Sequence, residues 1–128
     1  MDEFQVLIVD DSSVMRKIVE RALRQAGLPV SVVHEAGSGT DGLEVLKRTN
    51  VDLILSDINM PSMDGLEFVR QLRNRSLAPG VPVVMITTES SEEHVKQAIQ
   101  AGAHGYIRKP FTTDHVKERV LSLLNKGL

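Results

Sequence analysis

The sequence predicts a doubly wound α/β domain, a parallel sheet with helices on both faces, and three observations carry that prediction. Short continuous runs of β-prone apolar residues recur along the chain. A stretch of helical period follows each run, and the polar breaks between them are only a few residues long. A length of 128 residues corresponds to one domain, expected to span residues 1–128 without a second module. With 41% hydrophobic residues, such a chain supplies its own core, burying roughly two-thirds of its unfolded surface.

Val6-Leu7-Ile8-Val9 is the first run, followed by Val14, Met15, Ile18, Val19, Ala22, Leu23 and Ala26 at intervals of three and four. Ser12 or Ser13 is placed to cap that helix, and Gly27 to end it. Val30 to Val33 reads as a weaker, peripheral strand, with a helix around Leu43 to Leu46. Leu53-Ile54-Leu55 and Val83 to Ile86 have the composition of strands buried on both faces. The helices that follow them centre on Leu66 to Leu72 and Val95 to Ala101. Ser90-Ser91-Glu92-Glu93 resembles a capping box for the second of these, and Gly102 lies beyond its end. Gly105-Tyr106-Ile107 is a second weak strand, and Val116 to Leu124 the last helix. Right-handed crossovers join the five strands, and a chain of this kind fits the flavodoxin-like order 2-1-3-4-5.

Composition removes several classes of function. With no Cys, the chain has no thiolate nucleophile, Cys-ligated zinc or iron–sulfur cluster. Fifteen Lys and Arg stand against 17 Asp and Glu, a net charge of −2 without basic clustering, which argues against a nucleic-acid face. The apolar runs are far shorter than the ~18 residues needed to span a bilayer, and Met1-Asp2-Glu3 does not open a signal peptide. A cytoplasmic setting is expected. His34, His94, His104 and His115 lack metal-ligand spacing and read as surface or packing residues.

In an open α/β sheet, ligands bind beyond the carboxyl ends of the strands. There the chain places Asp10-Asp11, Ser56-Asp57, Thr87-Thr88 and Arg108-Lys109-Pro110, which should converge on one edge. Each set has a plainer reading: a helix cap for Asp10 and Asp11, a turn residue for Asp57, a strand end for Thr87, a solvated charge for Lys109. Converged, three carboxylates repel one another unless a cation neutralises them, and an oxygen-only donor set without Cys or paired His points to Mg²⁺. The chemistry that suits such a cluster is phosphoryl transfer, with one carboxylate attacking phosphorus while an ammonium and a hydroxyl take phosphoryl oxygens.

Four segments carry a resemblance: VLIVDDSSVMRKIV from Val6, LSDINMPSMDGLE from Leu55, VMITTE from Val84 and AGAHGYIRKPFT from Ala101. Over essentially its whole length the chain resembles the response-regulator receiver domains, in particular the stand-alone chemotaxis regulators among them. The resemblance implies that Asp57 is the phospho-acceptor. It implies that Asp10 and Asp11 hold Mg²⁺ directly or through water, with the Asn59 backbone carbonyl as a further ligand. Lys109 and Thr87 would contact the phosphoryl group, and a cis Lys109-Pro110 bond would help aim the ammonium. Met60-Pro61 and Asp64-Gly65 match the loop after the acceptor, where glycine would permit a tight turn. Asn59 and Glu89 fall where family members control access of water and hence phosphoryl lifetime. Tyr106 matches the aromatic that moves inward as Thr87 follows the phosphoryl group.

The implied function is a two-component switch. A histidine kinase or phosphotransfer protein would phosphorylate Asp57, and the face formed by the fourth helix, fifth strand and fifth helix would bind an effector protein. No catalysis is expected beyond the chain's own phosphorylation and dephosphorylation, and a monomer is expected. Two departures bear on that face: Ser90-Ser91-Glu92-Glu93-His94 stands where the flagellar regulator has basic residues, and Arg108 replaces an apolar residue. Altered charge there weighs against the flagellar motor switch as effector. A phosphate sink or relay without an effector is the nearest alternative. An aspartyl phosphohydrolase would want Asp-x-Asp where the chain reads Asp10-Asp11-Ser12. A flavin carrier would want a Ser/Thr/Gly-rich phosphate loop after the first strand.

Overall fold

The computed structural model describes residues 3–60, 63–87 and 92–126. Among these, five strands alternate with five helices: β1 (Phe4–Val9), α1 (Ser13–Gln25), β2 (Val30–Ala36), α2 (Gly39–Arg48), β3 (Leu53–Asp57), α3 (Gly65–Asn74), β4 (Val83–Thr87), α4 (Glu92–Ala101), β5 (Gly105–Arg108) and α5 (Thr113–Lys126). All neighbouring strands pair in parallel, in the order β2-β1-β3-β4-β5. The two strands with the weaker apolar signal are therefore the two edges.

Alternation along each central strand divides the core into two layers. Leu7, Val9, Ile54, Val83 and Met85 point to one face and pack with Leu43, Phe68, Val69, Leu72 and Ala98 of α2, α3 and α4. Val6, Ile8, Leu53, Leu55, Val84 and Ile86 point to the other and meet Val19 and Leu23 of α1 and Val116 and Val120 of α5. Because β3 and β4 are buried on both faces along their length, they can show no polar alternation.

Local signals set the helix ends. Ser12, in extended conformation, caps α1 by accepting the Met15 N–H, and Gly27 at φ 78° turns the chain away. Ser38 caps α2 and Asp64 caps α3 in the same way. Gly102, at φ 117°, follows α4. The capping box expected for α4 includes Ser90 and Ser91, which lie outside the described residues.

Sequence reading and structure differ at β2, which continues past Val33 through His34 and Glu35 to Ala36. As an edge strand it pairs with β1 as far as Val9, and its outer residues need not be apolar. Gly65 also differs from expectation. It opens α3, and what requires glycine there is the approach of another backbone, not a turn: an added Cβ would lie 2.3 Å from the Asp57 carbonyl oxygen.

Candidate functional site: an acidic pocket at the carboxyl edge of the sheet

β1 ends at Val9 and delivers Asp10 and Asp11, and β3 carries Asp57 as its last residue. Since β1 and β3 are adjacent, their ends converge. One carboxylate oxygen from each of Asp10, Asp11 and Asp57 lies within 4.8 Å of the other two, Asp10 and Asp57 buried and Asp11 exposed. A compact set of hard oxygen donors with an open side suits a small divalent cation such as Mg²⁺.

Backbone donors fix the two buried acids. The Ser12 N–H donates to Asp10 Oδ1 at 2.9 Å, and the Asn59 N–H donates to Asp57 Oδ1 at 3.3 Å. Burial is the largest influence on both carboxyls and holds their pKa values above the ordinary carboxylate range. The Lys109 charge opposes it in each case, while the charges of neighbouring aspartates add to it. The two buried acids thus resist ionisation unless positive charge faces them.

Lys109 supplies part of that charge. It follows β5, its backbone N–H donates to the Thr87 carbonyl at 2.7 Å, and the following Lys109-Pro110 bond is cis. Its side chain, 16% exposed, brings Nζ to 3.9 Å from Asp10 Oδ2 and 3.9 Å from Asp57 Oδ2. At that distance the ammonium faces both acids without closing a hydrogen bond to either. Thr87, buried, closes β4 one residue beyond Ile86, which is the register partner of Asp57.

Tyr106 lies apart from the pocket on β5, 37% exposed, with the Arg119 guanidinium of α5 5.9 Å from its ring centroid. Arg108 is exposed on the same strand, so β5 buries Gly105 and Ile107 and turns Tyr106 and Arg108 outward. Asn59 is exposed. Pro61, Thr88 and Glu89 lie outside the described residues. His104 Nδ1 accepts the Val83 N–H at 3.1 Å, at the end of the sheet away from the pocket, and His34 Nε2 lies 3.0 Å from Gln5 Oε1.

Two features escaped the sequence reading. An apolar cleft of about 310 Å³ opens beside the pocket, lined by Met15, Ile18, Pro110, Phe111 and the stem of Lys109. Val14 and Ile18 on α1 are 68% and 43% exposed next to it. Both belong to the apolar stripe that the spacing of three and four predicts, and only the packing of α1 against α5 decides which side of that stripe is left uncovered. The second is Arg16, whose Nη1 donates to the Asp10 carbonyl and whose Nε donates to Glu35 Oε1 at 2.9 Å.

The model of the response regulator receiver domain matches residues 6–121. The chain belongs to that family. Chemotaxis protein CheY-3 of Vibrio cholerae is 40% identical to this receiver over 116 residues, covering 91% of this chain and 88% of the relative. Among solved structures, V. cholerae CheY4 superposes with a TM-score of 0.84 at 36% identity, covering 94% of this receiver and 98% of that chain. The signal receiver domain of the putative response regulator NarL from Mycobacterium tuberculosis gives 0.86 at 33% identity, with 98% of both chains covered. This receiver is thus a CheY-type domain of two-component signalling, with an acidic cluster suited to Mg²⁺. No helix among the described residues is long and apolar enough to cross a membrane.

Proposed function

We propose that residues 1–128 act as one receiver that accepts a phosphoryl group on Asp57 from a histidine kinase or phosphotransfer protein and signals the event through the α4–β5–α5 face. The observation that carries this reading is the position of Lys109 Nζ, 3.9 Å from both buried acids, facing a cluster whose third carboxylate completes a cation site. An Asp57 carboxylate oxygen forms the bond to phosphorus as the P–N bond to the donor imidazole breaks. The electron pair stays on that nitrogen, which is then protonated. Asp10, Asp11, Asp57 and the Asn59 carbonyl would hold Mg²⁺, which would supply positive charge for the phosphoryl oxygens and the carboxylates. Lys109 takes a phosphoryl oxygen as an ion pair, and the Thr87 hydroxyl donates to another. Asn59 and Glu89 control the access of water to the acyl phosphate.

The donor approaches over the cleft between α1 and the β5–α5 loop, where exposed Val14 and Ile18 offer apolar contact beside Lys109. Movement of Thr87 toward the phosphoryl group opens space for Tyr106, which leaves Arg119 and turns inward, changing what β5 presents to an effector. An aromatic held half-exposed on an edge strand favours this switch over a phosphate sink. The reading includes a cytoplasmic monomer that catalyses only its own phosphorylation and dephosphorylation. The flagellar motor switch is not the favoured effector, because Arg108 and the acidic start of α4 alter the charge of that face.

The test is intact mass after incubation with a small acyl phosphate, with and without Mg²⁺, on the parent and on Asp57→Asn. A labile, Mg²⁺-dependent gain of one phosphoryl group, absent from Asp57→Asn, is expected. A gain that survives the substitution, or none in the parent, overturns the assignment.

A further inference from the structure

Two residues of the acidic pocket, Asp10 and Asp11, share a peptide group, and the side chain that grips that peptide comes from outside the pocket. Arg16, one turn into α1, donates from Nη1 to the Asp10 carbonyl oxygen. Its Nε donates at 2.9 Å to Glu35 Oε1 on β2, whose Oε2 takes Lys17 Nζ at 3.0 Å. Glu35 is the register partner of Ile8, and the next residue, Ala36, accepts the Asp10 N–H at 3.0 Å. Asp10 is therefore tied to β2 through both of its peptide groups: directly through the N–H of the Val9–Asp10 peptide, and through the guanidinium on the carbonyl of the Asp10–Asp11 peptide. Because a peptide group is planar, fixing the Asp10 carbonyl fixes the direction in which the Asp11 Cα leaves it. It thereby fixes where the exposed Asp11 carboxylate sits relative to Asp10 and Asp57.

The Arg16 side chain is 16% exposed and Glu35's 29%, so the pair is shielded enough to hold its geometry. Lys17 and Arg16 together also hold the Glu35 carboxyl below its ordinary range, which keeps the clamp charged. A guanidinium can serve a carbonyl and a carboxylate at once from two fixed nitrogens. A lysine in its place has one nitrogen for both.

We infer that Arg16, anchored from β2 by Glu35, is a positioning residue that sets the Asp10–Asp11 peptide and so tunes the pocket's affinity for a divalent cation. This rests on the reading of Asp10, Asp11 and Asp57 as a cation-assisted phosphoryl-acceptor site. Electrostatics alone makes the opposite forecast. Arg16 is a positive charge near three carboxylates, and deleting it should tighten cation binding if charge were its only role. Positioning requires that deletion weaken binding. The sign of the change separates the two.

The experiment is Mg²⁺ titration of the unphosphorylated protein, followed by amide chemical shifts, on the parent, Arg16→Ala, Arg16→Lys, Glu35→Ala, Glu35→Gln and Arg16→Ala/Glu35→Ala. Loss of an outer partner of this kind typically weakens metal binding by about tenfold or more. The expected result is therefore about tenfold weaker Mg²⁺ binding in Arg16→Ala and several-fold in Glu35→Ala. The double variant should be no worse than Arg16→Ala, since both remove one clamp. Glu35→Gln keeps an acceptor for Arg16 Nε and should stay within about threefold of the parent. Phosphorylation by an acyl phosphate at saturating Mg²⁺ should return to the parental rate in Arg16→Ala, the Mg²⁺ requirement alone having moved. If Arg16→Ala does not fold, Arg16→Lys carries the comparison, since it keeps the charge and charge alone then forecasts unchanged binding, and Glu35→Gln against Glu35→Ala separates loss of charge from loss of the acceptor. Unchanged or tighter Mg²⁺ binding in the Arg16 variants, or additive effects of Arg16 and Glu35, overturns the inference. A parent that binds no Mg²⁺, or an Asp11→Ala variant that binds it unimpaired, instead overturns the reading of the pocket.

Discussion

Replacing Gly65 with alanine should damage both the fold and the acceptor, although the residue sits in a helix where alanine is ordinarily the better choice. Gly65 opens α3, and its N–H donates to the Ile58 carbonyl at 2.7 Å. A Cβ built there would stand 2.3 Å from Asp57 O, 2.7 Å from Ile58 Cα and 2.8 Å from Met85 Cε. The first two are backbone atoms of the strand end that carries Asp57, so no rotamer change relieves them. Overpacking of this kind costs about 1–3 kcal/mol. The helical preference for alanine returns at most about 1 kcal/mol, less at the first position of a helix. A net loss of about 2 kcal/mol follows, which lowers a urea midpoint by about 1 M at the m-value of a domain this size. Two sister glycines give the scale. At Gly42 the added carbon would meet Phe68 Cε1 at 2.9 Å and Val9 Cγ2 at 3.1 Å, side-chain atoms in a packed core, and the loss should be about 1–2 kcal/mol. At Gly39 it would meet the flexible Met63 Sδ at 2.6 Å, and Gly39→Ala should fall within about 0.5 kcal/mol of the parent. Equilibrium urea unfolding of the three variants tests the order. A Gly65→Ala protein as stable as Gly39→Ala would refute the claim that backbone approach, rather than helix preference, governs this position.

Ser76 and Ala78 follow α3 at φ 53° and 47°, in the left-handed region that side chains disfavour. Ser76→Gly should therefore stabilise the chain by about 0.5–1 kcal/mol in urea, and a loss would show that the serine side chain holds the turn. His104 Nδ1 accepts the Val83 N–H, which an imidazolium cannot do; burial and the Arg73 charge hold its pKa below 6.5. The unfolded imidazole binds its proton first, so this contribution is complete above about pH 6.5 and is lost as pH falls below it. His104→Asn, with an amide oxygen as acceptor, should flatten the difference in stability between pH 7 and pH 5, and an unchanged slope would assign the loss elsewhere. Asp57→Asn should raise metal-free stability by about 1 kcal/mol, the usual size of relief when a functional conflict is removed, because the buried carboxyl is harder to ionise folded than unfolded. A lower urea midpoint for that variant without Mg²⁺ would count against it.

What could be read from the sequence divides along physical lines. Val83 to Ile86 and Leu53 to Leu55 announce themselves because burial on both faces leaves continuous apolar runs without polar alternation. Asp10, Asp57, Thr87 and Lys109 announce themselves as the polar residues that interrupt such runs. Parallel pairing then brings the ends of β1, β3, β4 and β5 to one edge, so the pocket follows from the fold class without any side-chain detail. Val14 and Ile18 could not be read in this way. They lie on the apolar stripe of α1, and the stripe is wider than the contact α5 makes with it. Arg16 was illegible for a different reason, since a charged residue in a helix has the same appearance whether it meets water or the carbonyl of Asp10. Glu35 is its partner only because β2 runs beside β1, a pairing absent from any local pattern.

The layout of the sheet also bears on where a signal can leave the pocket. Toward β3 and β1 the strands are packed on both faces, with Val6, Leu7, Leu53, Ile54, Leu55, Val83 and Val84 fully buried. A displacement at the end of β4 has no slack in that direction. β2, at the far edge, is seven residues long and is tied to the acid pair through Ala36 and the Arg16–Glu35 clamp. On the other side stands β5, with four residues and one face open. The Lys109 N–H bonds to the Thr87 carbonyl, so β5 is joined to β4 at the point where the phosphoryl group would arrive. Its residues Tyr106 and Arg108 turn outward, and Tyr106 meets Arg119 at the surface rather than a core. Rigid strands on one side of Thr87 and a short, half-open strand on the other leave β5 as the element that can answer a local charge with a rearrangement. Under the proposed function, that asymmetry gives a physical reason for an effector to read this face and not the edge at β2.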